Sequence, residues 1–315
     1  MKTVMKIVGW LLLAVVLLAA GGLATSWAPD REVESLKARW APAPSQFVDI
    51  MGMSVHVRDE GPRDDAEPIV LLHGTSASLH TWDGWAEALK AQRRVIRMDL
   101  PGFGLTGPMP DGNYRLTRYS EFVIALMDHL GVQKAVLAGN SFGGNLAWKV
   151  AVDHPQRVSK LVLVDAAGYP YDAQSVPIGF KIAQIPALKP LMQNTLPRSM
   201  IDSSVRNVYG DPSKVTDELV DRYYELTLRA GNRAALGERF SQSPGGEFAH
   251  QIPSITQPTL ILWGGQDRLI PPNNAEKFKQ DIQGSRVVMF DALGHVPHEE
   301  DPAATVAAVQ AFLMP

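Results

Sequence analysis

The chain has 315 residues, 45% of them apolar, with acids and bases interspersed to a formal net charge of −3. That is enough apolar material for a large core, which excludes a disordered or fibrous chain, and the balanced charge leaves no basic footprint for nucleic acid. With no cysteine, disulfides, thiolate metal sites and a cysteine nucleophile are excluded as well.

Lys2 and Lys6 precede an uncharged apolar and small-residue run from Ile7 to Ala24. At about 1.5 Å per residue such a helix extends roughly 27 Å, close to the thickness of a bilayer core. Residues 1–25 are therefore expected to be a transmembrane anchor. A cleaved signal segment is the alternative, since small residues gather around 20–26. Lysines ahead of the run place the N-terminus in the cytoplasm and the remainder on the exported side, periplasmic or extracellular. Residues 26–45, polar and Pro-rich in APDREVESLKARWAPAPS, read as a tether containing a short helix, and the folded domain is expected over 46–315.

Within that domain, strands are predicted at Phe47–Ile50, Ser54–Asp59, Pro68–His73, Arg94–Asp99, Ala135–Gly139, Lys160–Asp165, Thr259–Trp263 and Arg286–Phe290. Several are short β-branched runs bounded by Gly or Pro, the mark of strands buried on both faces. Helical patterns fall at about Leu79–Ala91, Leu116–Leu130, Phe142–Asp153, Ala275–Ile282 and His298–Phe312. The alternation predicts an α/β fold with an eight-stranded, mostly parallel sheet and an antiparallel pair at its start. It lapses between about 167 and 251, where only helical stretches such as Lys214–Arg229 occur, so a helical lid is expected after the sixth strand. Tyr169, Tyr171, Phe180, Leu188, Met192 and Tyr209 are its candidate pocket residues.

Gly139, Asn140, Ser141, Phe142 and Gly143 form a GxSxG pattern between an apolar strand and a helix. A serine on so tight a strand-to-helix turn is strained, and the positions two before and two after it must lack bulk, which Gly139 and Gly143 supply. Phe142 then opens the helix, with an amide free to hold an anion. A serine hydroxyl needs a base. Of the eight histidines, His295 in DALGHVPHEEDP follows the last strand and so stands at the sheet edge from which Ser141 emerges; His298 is its nearest competitor. An acid must orient the histidine. Asp267 in LWGGQDRLIPP completes the order Ser, Asp, His, with Asp165, at the end of the sixth strand, as the reserve. The HGTSAS loop after the third strand offers the Thr75 amide, or as second choice that of Ser76, to join Phe142 in an oxyanion hole. DLPGFGLT, with Asp99, Pro101, Gly102 and Gly104, reads as structural.

Taken together, HGTSAS, DLPGFGLT, GNSFGG, WGGQDRLIPP and LGHVPHEE resemble the motif set of the α/β-hydrolase superfamily in order and spacing, from about Phe47 onward. The elbow and the lid position are similar to those of meta-cleavage-product C–C hydrolases and of lid-bearing carboxylesterases. Serine at 141 departs from the aspartate of dehalogenases and epoxide hydrolases. The export segment and the absence of a Gly-Pro-Gly run beside His73 depart from the C–C hydrolases. The resemblance so qualified implies a serine hydrolase of small hydrophobic esters or related acyl compounds, needing no metal and no cofactor. A C–C bond hydrolase or a cofactor-free perhydrolase is the alternative, and an inert membrane-tethered binding protein the remote one.

Overall fold

The β-branched runs do become strands in the computed structural model, which describes residues 2–314; among these, the side chains at 2–4, 8, 15–16, 18–20, 23–24, 186, 189 and 191 lie outside the description. The strands are β1 (Gln46–Ile50), β2 (Met53–Glu60), β3 (Ile69–Leu72), β4 (Val95–Met98), β5 (Ala135–Asn140), β6 (Val158–Val164), β7 (Thr259–Gly264) and β8 (Arg286–Phe290). They form one sheet in the order β1-β2-β4-β3-β5-β6-β7-β8. Only the β1–β2 and β2–β4 pairings are antiparallel; β4 through β8 run parallel.

Thirteen helices are described: α1 (Lys2–Thr25), α2 (Val33–Trp40), α3 (Asp83–Leu89), α4 (Leu116–His129), α5 (Phe142–Asp153), α6 (Ile178–Ala183), α7 (Lys189–Met192), α8 (Arg198–Val208), α9 (Asp217–Thr227), α10 (Asn232–Gln242), α11 (Asn273–Asp281), α12 (Pro297–Glu300) and α13 (Pro302–Leu313). Two of the expected helices differ. The first begins as a 3₁₀ turn over Leu79–Trp82 before α3. The last is broken at Asp301, whose side chain caps α13 by accepting from the Ala304 amide while Pro302 starts that helix anew.

Alternate residues of the central strands serve two cores, as a pleated sheet requires. Val70, Leu72, Ile96, Met98 and Leu137 face the side covered by α4, α5 and α11. Ile69, Leu71, Val95, Val136, Ala138, Val162 and Val164 face Trp82, Trp85, Val306 and Val309 from the α3 and α13 side. Helices α6–α10 form the excursion between β6 and β7.

The expected membrane-spanning helix is not borne out. Residues 2–25 do form a helix of 24 residues, but among the described residues no helix is long and apolar enough to cross a membrane. Side chains at 8, 15–16, 18–20 and 23–24 of that apolar run lie outside the description. The tether is no loose spacer. Ala28 donates to the Asn194 carbonyl (2.9 Å), Leu196 to that of Ser26 (2.8 Å) and Arg31 to that of Leu228 (2.7 Å), while Asp30 pairs with Arg233 (2.5 Å). Residues 26–31 are thereby stitched to the helical excursion.

Candidate functional site

Parallel register brings the ends of β5 to β8 to one rim. Asn140 pairs with Val164, Val164 with Leu262, and Gly264 with Phe290, so the residues that follow each strand emerge side by side. These are Ser141, Asp165, Asp267 and the 291–295 loop.

Ser141 is held at φ 55°, ψ −115°, a conformation that costs a non-glycine residue of order 1–3 kcal/mol. Its surroundings enforce it: the Ser141 amide donates to the Val164 carbonyl, and the Ser141 carbonyl accepts from the amides of Asn145 and Ala167, all at 3.0 Å. The two elbow glycines are obligatory for space. A Cβ on Gly139 would lie 2.1 Å from the Gly143 carbonyl oxygen, and one on Gly143 would lie 2.1 Å from that of Leu72. Phe142 is the first residue of α5, where a backbone N–H has no intrahelical acceptor. Across the rim the turn after β3 closes with the Ala77 amide donating to Gly74 (3.3 Å), which leaves Thr75 and Ser76 on the cavity wall. His73 anchors that turn: its Nδ1–H donates to the Gly74 carbonyl (2.7 Å), and its Nε2 accepts from the Leu100 amide (2.9 Å). Complete burial holds its pKa below the usual histidine value, in keeping with this neutral tautomer.

His295 Nδ1 lies 2.7 Å from Asp267 Oδ2, and both residues are buried. Asp267 Oδ1 accepts from the amides of Leu269 (2.8 Å) and Ile270 (2.9 Å), so three N–H groups converge on this carboxylate. His298 is turned elsewhere. Its Nε2 meets Thr81 Oγ1 at 2.9 Å, its ring packs 4.0 Å from that of Trp82, and burial drives its pKa well below the ordinary value. Ser141, His295, Thr75 and Ser76 all line one cavity of about 370 Å³, whose wall is predominantly apolar, with Phe180, Leu188, Met192, Met200 and Leu236 among its residues. Of the aromatic candidates in the helical excursion, Phe180 reaches this cavity. Tyr169 instead packs on Phe278 and donates to Asp281 (2.8 Å), and Tyr209 faces a separate polar cleft.

Two supports were not singled out from sequence. Asn140 Nδ2 donates to the carbonyls of His295 (2.9 Å) and Val164 (3.2 Å), tying the elbow to the histidine loop. Glu300 accepts from the amides of Gly294 (2.8 Å), Gly210 (2.9 Å) and Asp211 (2.8 Å), clamping the same loop to the helical excursion. Both stand inside motifs, GNSFGG and HEED, yet only distant partners reveal what they do. Asp99 bears out its structural reading, since its carboxylate accepts from the amides of Leu79 and Leu105 and pairs with His56. The described residues contain one His and carboxylate group close enough to share a cation, Asp165, Asp267 and His295, with candidate ligand atoms within 4.8 Å of one another. There His295 Nδ1 and Asp267 are already committed to each other.

Comparisons with known proteins identify the fold family. A family model described as the alpha/beta hydrolase fold matches residues 67–302. A 2-hydroxy-6-oxononadienedioate/2-hydroxy-6-oxononatrienedioate hydrolase of a Pseudomonas species is 30% identical over 264 residues, covering 80% of this chain and 90% of the relative. A solved variant of the meta-cleavage product hydrolase of Pseudomonas fluorescens superposes with TM-score 0.72 at 26% identity, over 85% of this chain and 96% of that one. A bacterial membrane phospholipase A superposes with TM-score 0.73 at 25% identity, over 99% of this chain and 98% of that one.

Proposed function

This chain belongs to the α/β-hydrolase fold family, and we propose that within it the chain is a serine hydrolase that cleaves carboxylic esters of apolar acyl groups. One observation carries the reading: Ser141 and His295 share the wall of a roughly 370 Å³ apolar cavity, with Asp267 held behind the histidine. His295 takes the Ser141 proton as the serine attacks the ester carbonyl, and the amides of Phe142 and Thr75 receive the developing oxyanion. The histidine then protonates the departing alcohol. A water deprotonated by the same imidazole releases the acid from the acyl-enzyme. Helices α6–α10 serve as the lid whose apolar side chains hold the acyl chain.

The lining favours an uncharged acyl group. Among the described lining residues the cation apart from histidine is Arg233, whose charge is met by Asp30 through Nε and Nη2, although its buried Nη1 makes no hydrogen bond. Hydrolysis of a carbon–carbon bond in a dienoic diketone is the second reading, favoured by the 30% identity to a hydrolase whose substrate is, by its name, a dicarboxylate. The deciding experiment compares p-nitrophenyl butyrate, octanoate and laurate with a dienoic diketone on the full chain in detergent. The Ser141→Ala variant and fluorophosphonate labelling serve as controls. Turnover of the diketone with none of the esters refutes the ester reading; turnover retained by Ser141→Ala refutes both.

We further propose that the N-terminal segment contacts a membrane, with the domain on its exported side. Met5, Ile7, Trp10, Leu11, Leu12, Leu13 and Leu17 are each at least 45% exposed, an apolar surface that water alone does not favour. The similarity to the membrane phospholipase A runs the length of this segment. Co-sedimentation of the full chain and of a chain lacking residues 2–25 with lipid vesicles tests the contact, and protease treatment of spheroplasts tests the side; a full chain that stays in the supernatant, or one protected from external protease, contradicts it.

A further inference from the structure

The Ser–His–Asp account leaves one buried carboxyl unused. Asp165 follows β6 at φ 44°, is fully buried, and lies in the same cluster as Asp267 and His295, with candidate ligand atoms within 4.8 Å of one another. Its Oδ1 accepts from the Gly264 amide at 3.0 Å, while its Oδ2 meets no donor. Asp267, by contrast, is served by three N–H groups. Each of two buried carboxylates so close disfavours ionisation of the other, which favours a proton on the one with fewer donors. The unpartnered Oδ2 of Asp165 is the oxygen on which such a proton would sit.

We propose that Asp165 is a positioning residue for the triad: its neutral carboxyl donates a hydrogen bond to the Asp267 carboxylate, and if Asp267 loses its charge Asp165 ionises and takes over the support of His295. The titratable groups facing it are Asp267 on the β7–α11 loop, His295 on the β8–α12 loop and Glu300 on α12. Burial, then the charge of Asp267, raise its pKa well above the ordinary carboxyl value, which agrees with the assignment. The inference rests on the serine hydrolase reading, because the roles of Ser141, His295 and Asp267 come from there.

The test is a set of variants in the full chain: Asp165→Ala, Asp165→Asn, Asp267→Asn and the double Asp165→Asn/Asp267→Asn. Asp165→Ala lowers kcat roughly tenfold with KM little changed, the scale of a lost buried hydrogen bond to a charge. Asp165→Asn, whose amide still donates, recovers most of that loss. Asp267→Asn keeps a residual rate that the double variant loses by a further factor of about ten. Infrared spectra of chain labelled with carboxyl-¹³C aspartate, recorded at neutral pH, show a protonated carboxyl band that disappears in Asp165→Asn.

Equal rates in Asp267→Asn and the double variant overturn the proposal, as does the absence of the protonated band. If the unaltered chain shows no hydrolysis dependent on Ser141, the functional reading has failed instead. The infrared band still decides the protonation of Asp165 in that event.

Discussion

Adding one methyl group at Gly143 probes how the elbow and the neighbouring loop depend on each other. In Gly143→Ala the new Cβ lies 2.1 Å from the Leu72 carbonyl oxygen, 2.5 Å from its carbon and 2.6 Å from the His73 oxygen, all backbone atoms that no rotamer change can move. Ordinary contact begins at 3.4 Å, so β3 and the elbow must separate by about 1.3 Å. Overpacking of this kind costs about 1–3 kcal/mol. The same shift carries the Thr75 amide away from the Phe142 amide across the proposed oxyanion hole. A misplacement of about 1 Å costs on the order of 10²-fold in rate. We expect kcat for a p-nitrophenyl ester to fall about a hundredfold in enzyme shown to be folded by circular dichroism, with the urea midpoint lowered as well. Gly245→Ala, where nothing lies within 4 Å of the added Cβ, serves as the control and stays near the parent. A Gly143→Ala enzyme within about twofold of the parent kcat would refute the tight apposition of β3 and the elbow on which this estimate rests.

Other outcomes follow from the same geometry. Asp267→Asn lowers kcat by less than the roughly 10⁴-fold that loss of a sole orienting carboxylate costs, because Asp165 substitutes; steady-state rates at saturating ester measure it, and a full loss of about 10⁴-fold speaks against the substitution. Met200→Trp narrows the cavity, so kcat/KM falls about tenfold for laurate while changing little for butyrate; an equal loss for both would place the acyl chain elsewhere. His73, His80 and His298 are all depressed by burial, His80 to about 3, so the native state stays neutral where the unfolded chain binds protons. Stability is therefore full above about pH 6.5 and falls as pH drops below it, by up to roughly 1.4 kcal/mol per pH unit for each histidine. Urea midpoints at pH 7 and pH 5 measure the fall. It should be smaller in His80→Gln, and an unchanged fall would mean that His80 is protonated in the native state.

Much of this protein is written in short-range pattern. The strands and the elbow were legible because a β-branched run between turn residues, or a serine flanked by glycines at two-residue spacing, makes its physical demand locally. Gly139 and Gly143 fit because any Cβ there strikes backbone, and that need shows in the letters themselves. What the letters left open were contacts between distant segments. His295 and His298 stand three residues apart with similar claims, and only packing turns one toward Asp267 and the other against Trp82 and Thr81. The break at Asp301, the docking of residues 26–31 on the helical excursion and the clamp of Glu300 likewise depend on partners far along the chain. Asp165 and Asp267 each read as a possible acid. The fold placed them side by side in a buried space, where one negative charge disfavours the other, and that coupling, on which the proposal for Asp165 rests, is visible only once three dimensions bring them together.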